Sequence, residues 1–274
     1  MSELVLLKLG GSVLTDKRRP EALQTAVLHD MAQSIRQLLE QHGELRLVIG
    51  HGGGSFGHHW AARYGTQHGI HDPRGWQGFA RVQDAQGRLN RAVVAILIEA
   101  GINAVSLQPS AGAIAASGVI EHWDLTGLTA MLSHDLVPVI YGDVVIDRDR
   151  SAAIISTEQL FGYLVPRLKP QRLVLVGEGG VWTADPRHNA QATLIPTINQ
   201  HNIEAVLAQS GASYGVDVTG GMASKVATMW RVAQATPGLT IHFVGPGALR
   251  TVWEQGASAG TVMHWAETDP TAPD

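Results

Sequence analysis

The sequence predicts an α/β fold built on a largely parallel sheet. Short apolar runs, each followed by glycine and then by a segment of helical periodicity, recur along the chain, and this alternation is typical of β-α units. The 274 residues are 45% hydrophobic and 16% charged, a composition that indicates a globular protein with a substantial core. Glycine accounts for 31 of them, about 11%, and many of these glycines fall at the ends of the apolar runs.

Seven apolar runs predict the strands. In chain order they cover residues 4–9, 45–49, 102–107, 136–141, 144–146, 172–176 and 239–244. Each run is too short for a helix and is bounded by turn-forming or polar residues, so a strand is the better interpretation. The pair at 136–141 and 144–146 flanks a tight connection at Gly142-Asp143.

Helical segments follow most of these strands. The first, within residues 23–43, carries apolar side chains at helical spacing and is closed by glycine. Ser55 is expected to cap the second helix. Ser156 and Gln159 have the spacing of a capping box at the start of a helix that ends near Leu168. The remaining predicted helices cover residues 76–100, 203–209 and 221–235.

Charge and cysteine content exclude several classes of function. The chain has 20 Lys and Arg against 24 Asp and Glu, a formal net charge of −4. It therefore has no overall positive charge that would attract nucleic acid or an anionic membrane. The chain has no cysteine, which excludes disulfides, thiol catalysis and thiolate zinc sites. The longest apolar run, residues 92–98, is far short of the ~20 residues of a membrane span, and the N-terminus has no secretory-signal pattern. We expect a cytoplasmic protein that binds neither nucleic acid nor membranes.

The segment at residues 51–58, HGGGSFGH, fits three motifs. Its glycines match a dinucleotide-binding fingerprint in which Asp72 would be the acidic residue about 20 positions downstream. That residue should end the next strand, but the sequence around Asp72 is typical of a loop. They also match a hydrolase nucleophile elbow at Ser55, but the oxyanion element overlaps the same residues instead of forming a separate loop. A glycine-rich phosphate cradle remains, with backbone N–H groups and a helix N-terminus that favour an anion. His58 then lies in the first helical turn, within reach of a phosphate. By itself this loop is also compatible with a structural glycine turn.

Two further glycine loops favour the phosphate interpretation. Lys8 lies in an apolar strand directly before Gly10-Gly11-Ser12, where a buried ammonium needs an anionic partner, and we expect a phosphate there. Gly220-Gly221 opens a helix with Lys225 in its first turn, so N–H groups and a lysine converge on another anion. No G-x-x-x-x-G-K-[ST] occurs, which excludes a P-loop enzyme. The three loops predict a site for a polyphosphate and a second phosphate or acid.

These motifs resemble the amino acid kinase superfamily and, within it, the isopentenyl phosphate kinases and the similar fosfomycin kinases. The resemblance covers nearly the whole chain, and His58 is the residue that narrows it to these kinases. The matching segments are 8–12, 15–17, 51–58, 105–109, 141–145, 154–156 and 217–222. The resemblance implies the amino acid kinase fold, an αβα three-layer sandwich with a mainly parallel central sheet. It implies a single domain over 1–274, with an acceptor-binding lobe at 1–170, a nucleotide-binding lobe at 171–265 and a flexible tail at 266–274.

The resemblance also implies roles for individual residues. Lys8 and Lys225 would hold the nucleotide phosphates, and Lys17 would stabilise the phosphoryl group in flight. Asp143 would orient the lysines, and His58 would contact the acceptor. The other ATP-binding residues would be Gly10, Gly11, Ser12, Gly54, Gly177, Asp185, Gly221 and Met222. The other acceptor-binding residues would be Gly53, Gly54, Thr157, Trp76, Phe79 and Val82.

Two details qualify these assignments. Relatives usually carry Asp-x-Asp-Gly at the nucleotide loop, where this chain has glycine and glutamate at residues 177–180. Trp76, Phe79 and Val82 are spaced by three residues, which places them on one helix face. That face either lines a hydrocarbon pocket or packs on the sheet.

The implied activity is ATP-dependent phosphorylation of isopentenyl phosphate by a homodimer, with Mg²⁺ carried on the nucleotide. A phosphate-ester acceptor has its second pKa near 6 and is already a nucleophile at neutral pH, so no carboxylate base is required. A kinase of another small phosphate or phosphonate, such as fosfomycin, and a nucleotide-binding regulator without turnover are the alternatives. No protein metal site is expected, because His68 and His71 have no third ligand nearby in sequence.

Overall fold

The structure, a computed structural model, describes residues 3–16, 18–213, 221–255 and 260–265. Its strands are β1 (Leu4–Leu9), β2 (Arg46–His51), β3 (Ala104–Ser106), β4 (Ala113–Ala116), β5 (Val119–Trp123), β6 (Val137–Tyr141), β7 (Asp143–Asp147), β8 (Ser151–Ile155), β9 (Arg172–Val176), β10 (Thr197–Ile198), β11 (Thr240–Val244) and β12 (Gly260–Met263). Its α-helices are α1 (Gly11–Leu14), α2 (Thr25–Gln41), α3 (Gly54–Tyr64), α4 (Pro73–Glu99), α5 (Thr126–Ser133), α6 (Thr157–Leu168), α7 (Ile203–Ser213), α8 (Gly221–Ala235) and α9 (Thr251–Gln255). Lys17, Gly220 and the predicted tail at 266–274 lie outside the described residues.

Eight strands form one sheet in the order β10-β12-β11-β9-β1-β2-β6-β3. β1 pairs in parallel with β2 and with β9, and among the described pairings of this eight-stranded sheet only β11–β12 is antiparallel. The predicted α/β fold with a mainly parallel sheet is therefore confirmed. Because parallel strands all end at the same edge, the glycine loops that follow β1 and β2 are brought side by side.

Helices cover both faces of this sheet, which confirms the three-layer αβα arrangement. Successive side chains of β1 point to opposite faces. Val5 and Leu7 pack in the cluster that includes α2 and α4, whereas Leu4 and Leu6 pack in the cluster that includes α6 and α8. This alternation places Lys8 on the α6 and α8 side. Among the described helices, none combines the length and apolar character that a bilayer span requires.

A second sheet, in the order β5-β4-β7-β8, is absent from the sequence-based expectation. The apolar runs predict only its strand β7. β4 and β5 have four and five residues with interrupted burial, and β8 contains two alanines, so none of them presents a run of large apolar side chains. Predicting them requires the tertiary context that buries them.

The structure confirms one of the two predicted helix caps and differs from the other. Ser156 and Gln159 form the predicted capping box at the start of α6. Ser55 does not cap α3: the N-cap is Gly53, and the Ser55 hydroxyl accepts a hydrogen bond from the Ala22 N–H at 3.2 Å. Asp72, considered above as a dinucleotide ligand, is the N-cap of α4.

His51, the last residue of β2, is fully buried behind the adjacent glycine loop. Its ring stacks on Tyr141 with 5.4 Å between the ring centroids. Asn90 Nδ2 lies 3.1 Å from Nε2, and the carbonyl oxygen of Gly52 lies 3.2 Å from Nδ1. A neutral ring with its proton on Nδ1 satisfies both contacts. Burial, together with the charge of Lys8, lowers the pKa of His51 to about 4.

We expect acid to destabilise the fold through His51 and His242. Burial also lowers the pKa of His242 to about 4, so between about pH 6.5 and 4 the unfolded chain binds more protons than the folded protein. The free energy of unfolding should therefore fall as the pH drops through this window, by at most about 1.4 kcal/mol per pH unit for each histidine. Urea unfolding of the wild type and of His242→Gln from pH 7.5 to 4.5 should give a shallower pH dependence for the variant. His29→Gln, at an exposed position, is the control, and equal slopes for the wild type and His242→Gln would contradict the assignment.

Candidate active site

A cavity of about 760 Å³ opens where β1, β2 and β8 end and the following helices begin. This edge is where open α/β sheets bind ligands. The first residues of α3 and α6 line the cavity, so their N-terminal N–H groups and helix dipoles favour an anion there. The polar side chains that line it include Lys8, Ser12, His58, Gln86, Thr157, Glu158 and Lys225.

The first two predicted glycine loops are in direct contact at this edge. A Cβ atom on Gly11 would lie 2.4 Å from the backbone nitrogen of Gly54, so only glycine allows the approach. Gly54 also has a φ of +48°, in the left-handed region. Thr15 connects the loops, since its hydroxyl donates to the Gly11 carbonyl at 2.7 Å and accepts from the Ser55 N–H at 2.9 Å. Both loops therefore present their backbone to one cavity.

Lys8 does not lack a protein partner, contrary to the expectation from its position in an apolar strand. Its Nζ lies 3.0 Å from Oε1 of Glu158, and both side chains are 7% exposed. Burial and the nearby charge of Lys225 lower the pKa of Lys8, against the opposing effect of Glu158. Burial alone would raise the pKa of Glu158, but Lys8 and Lys225 together lower it. Two lysines around one ionised carboxylate leave an excess of positive charge, which favours an incoming anion.

The carboxylate beside Lys8 and Lys225 is Glu158, and the role implied for Asp143 in orienting the lysines stays a prediction. The two carboxylate oxygens of Asp143 accept hydrogen bonds from the backbone N–H groups of Ser110 and Val144. Burial raises the pKa of Asp143 to about 6 in spite of these bonds. Asp143 therefore anchors the turn after β3 to the start of β7.

His58 and Lys225 both line the cavity, each as the fifth residue of its helix. They therefore begin the second helical turn, and not the first turn as the sequence suggested. Thr157 opens α6, and its hydroxyl donates to the carbonyl oxygen of His51 at 2.6 Å. This bond ties α6 to the end of β2.

Several residues implied in ATP binding lie near the cavity without lining its described part. These residues are Gly10, Gly177, Asp185, Gly221 and Met222. Gly10 donates its N–H to Val176 and Gly177 donates its N–H to Val244, so both join strand ends. Asp185 accepts hydrogen bonds from the backbone and side chain of Arg187, which lower its pKa to about 2. The proposed contact of Lys17 with the phosphoryl group falls outside the described residues.

One arm of the cavity is apolar. Of the three residues predicted to share one face of α4 and to contact the acceptor, only Val82 lines this arm. Val82 lines the arm with Ala61 and Ile154. Phe79 packs against the small core cluster behind Val82. Trp76 is 47% exposed and lies against Phe79 with 5.9 Å between ring centroids. Neither Phe79 nor Trp76 lines the described part of the cavity, and their contact with the acceptor stays a prediction.

Three residues of the site were missed by sequence reasoning. The sequence predicts Glu158 only as part of a helix start and Thr15 only as part of the matching segment 15–17, and it does not predict Gln86 as a site residue. An acidic residue directly after the N1 position of a helix that follows an apolar strand was the available signal for Glu158. Gln86 gave no signal, because a single glutamine in a long amphipathic helix is usually a surface residue.

The chain is similar to known proteins both in sequence and in structure. The sequence model of the amino acid kinase family matches residues 3–244. The isopentenyl phosphate kinase of Haloferax volcanii is 39% identical over 95% of this chain and 98% of its own length. That of Methanothermobacter thermautotrophicus is 35% identical over 84% of this chain and 87% of its own. A crystal structure of isopentenyl phosphate kinase superimposes with a TM-score of 0.79 at 31% identity, covering 95% of this chain and 99% of that one.

Removing the carboxylate between the lysines should destabilise the fold. Glu158→Gln leaves the buried ammonium of Lys8 without its counter-ion, and we expect the free energy of unfolding to fall by roughly 3–5 kcal/mol. The double variant Lys8→Met/Glu158→Gln should recover part of this loss, because it removes both charges. Glu40→Gln breaks an exposed ion pair with Arg36 and is the control, with a much smaller expected effect. Urea unfolding at pH 7.5 measures all three, and a wild-type stability for Glu158→Gln would contradict the buried ion pair.

Proposed function

Because the chain belongs to the amino acid kinase family, we propose that it transfers the terminal phosphoryl group of ATP to isopentenyl phosphate, forming isopentenyl diphosphate and ADP. The proposal rests on the family match over residues 3–244 and on the similarity to isopentenyl phosphate kinases over most of the chain. The observation that carries it in the structure is the two-ended character of the cavity.

One end of the cavity suits phosphates and the other suits a short hydrocarbon. The phosphate end has the backbone of two glycine loops, Lys8, Lys225 and His58. The other end has the side chains of Ala61 and Val82. A five-carbon tail buried against such a surface gains roughly 0.8 kcal/mol per methylene. A small amino-acid acceptor would leave the apolar arm without a partner.

The chemistry requires no base from the protein. The acceptor phosphate, with its second pKa near 6, is largely dianionic at neutral pH and is itself the nucleophile. Its oxygen attacks the terminal phosphorus of ATP, the bond from that phosphorus to the bridging oxygen breaks, and ADP leaves with the electron pair. The barrier comes mainly from bringing two anions together in line, so catalysis is positioning and electrostatic stabilisation.

Different residues of the chain stabilise the transferred group and position the acceptor. Lys8 and Lys225, held by Glu158, stabilise the charge that spreads over the transferred group and the departing ADP. The N–H groups at the start of α3 and the ring of His58 hold the acceptor phosphate, and the N-terminus of α6 faces the same space. Lys17, implied by the family resemblance, would stabilise the charge on the transferred group. The division into an acceptor lobe at 1–170 and a nucleotide lobe at 171–265 stays a prediction, with Lys8 as a residue of the first lobe that would act on the nucleotide phosphates.

The residues present suit an Mg²⁺ ion that is carried by the nucleotide. Within the described ranges no group of three His, Asp or Glu side chains could hold a metal ion. Mg²⁺ keeps water ligands and commonly binds phosphate oxygens with little help from protein, and when bound it neutralises charge on the ATP phosphates. The homodimer and the cytoplasmic location stay predictions, of which light scattering tests the first.

A coupled assay of ADP release tests the proposed function. Isopentenyl phosphate, dimethylallyl phosphate, fosfomycin and N-acetylglutamate are offered with MgATP, and a reaction without acceptor measures background hydrolysis. We expect kcat/KM for isopentenyl phosphate to exceed that for fosfomycin and N-acetylglutamate by at least ~10-fold, because only the prenyl acceptors fill both ends of the cavity. Phosphorus NMR of the product should show a diphosphate. Turnover of N-acetylglutamate alone would overturn the proposal.

A further inference from the structure

Gln86, in the middle of α4, is a buried polar residue that the proposed mechanism leaves without a task. Its side chain is only 5% exposed, yet it lines the cavity. The carboxamide lies directly against the glycine loop: a Cβ atom on Gly53 would fall 2.0 Å from its Nε2, and one on Gly57 would fall 1.9 Å from it. Two glycines one helical turn apart thus make the room that this amide occupies.

The carboxamide has no hydrogen-bond partner among the described residues. Oε1 is fully shielded from bulk solvent and unpaired, and no partner of Nε2 is found in the described part of the chain either. Buried polar groups in proteins are nearly always paired, and an exception that faces a cavity indicates a bound ligand or water. An amide with neither end tied can also rotate about its last bond and turn its N–H toward an anion.

The neighbours of Gln86 indicate which part of a ligand it meets. Val82, one turn earlier on the same face of α4, belongs to the apolar arm. Gly53, the N-cap of α3, lies directly against the carboxamide and also lines the cavity. Gln86 therefore stands where the phosphate end of the cavity meets the hydrocarbon end.

We infer that Gln86 is an acceptor-positioning residue: its carboxamide N–H donates a hydrogen bond to the phosphate of the acceptor, next to the N-terminus of α3. The inference rests on the proposed function and adds a contact to it. The bond fixes the rotation of the acceptor phosphate while Val82 contacts the tail one turn away. It also favours acceptors with an anionic oxygen at this point over neutral alcohols.

The first test replaces the amide by a side chain of similar volume. Gln86→Met keeps the packing against Gly53 and Gly57 but removes the donor. We expect KM for isopentenyl phosphate to rise ~10- to 100-fold, as for loss of a hydrogen bond to a charged group. KM for ATP should change by less than about two-fold. The urea concentration at the midpoint of unfolding should stay close to that of the wild type. Gln83→Met, the same change on the same helix at a position that does not line the cavity, is the matched control and should leave both KM values unchanged.

The second test adds a charge that can be titrated. The carboxylate of Gln86→Glu should repel the acceptor, and burial should raise its pKa. As the pH falls, protonation restores a donor, so the ratio of variant to wild-type kcat/KM for isopentenyl phosphate should rise toward that of the wild type. A residue that only spaces α3 from α4 would give no such pH dependence.

The outcomes separate this inference from the proposed function. If the wild type does not phosphorylate isopentenyl phosphate, the proposed function fails. If the wild type does so and Gln86→Met keeps its KM for the acceptor, the inference fails alone. An equal rise of KM for ATP and for the acceptor would also overturn it, because that result indicates a general distortion of the cavity. Calorimetric titration of isopentenyl phosphate without nucleotide should show the same loss of affinity in Gln86→Met.

Discussion

Lys8 lies on the face of β1 that otherwise carries Leu4 and Leu6, and the carboxylate of Glu158, 3.0 Å away, opposes the loss of charge that burial of the ammonium favours. Burial of a lone ammonium would favour its neutral form, and a neutral amine could not stabilise a phosphoryl group. The carboxylate of Glu158 also attracts Lys225 from α8. One buried acidic residue on α6 therefore interacts with both elements, β1 and α8, whose lysines carry positive charge into the cavity.

The position of Glu158 depends in turn on where α6 begins. Ser156 caps the helix with Gln159, so Glu158 is the second residue of α6 and its carboxylate lies at the positive end of the helix dipole. The hydroxyl of Thr157 fixes the same turn to the end of β2. Across the cavity, Thr15 holds the two glycine loops in contact. Local capping interactions thus set the geometry of a site whose members are distant in sequence.

The sequence predicts the parts of this protein that depend on local pattern. Apolar runs locate six of the eight strands of the large sheet, all but β10 and β12, and the spacing of Ser156 and Gln159 locates the start of α6. The second sheet is not predictable in this way, because β4 and β8 consist largely of small side chains that are buried only by their neighbours. The glycine loops and Lys8 predict a phosphate site, and the structure brings Lys8 and two of these loops to one cavity. The local pattern does not predict Glu158 as the partner of Lys8, because that contact depends on how α6 packs on β1.

The central claim is that Lys8 and Lys225, held by Glu158, act on the phosphoryl group during transfer more than on ATP binding. Single-turnover transfer from ATP to isopentenyl phosphate by Lys225→Met, at saturating acceptor and with ATP affinity measured by calorimetry, tests it most directly. The exposed Lys169→Met is the control. We expect the transfer rate of Lys225→Met to be lower than that of the wild type by about 100-fold or more, with a far smaller change in ATP affinity. A wild-type transfer rate in Lys225→Met would contradict it.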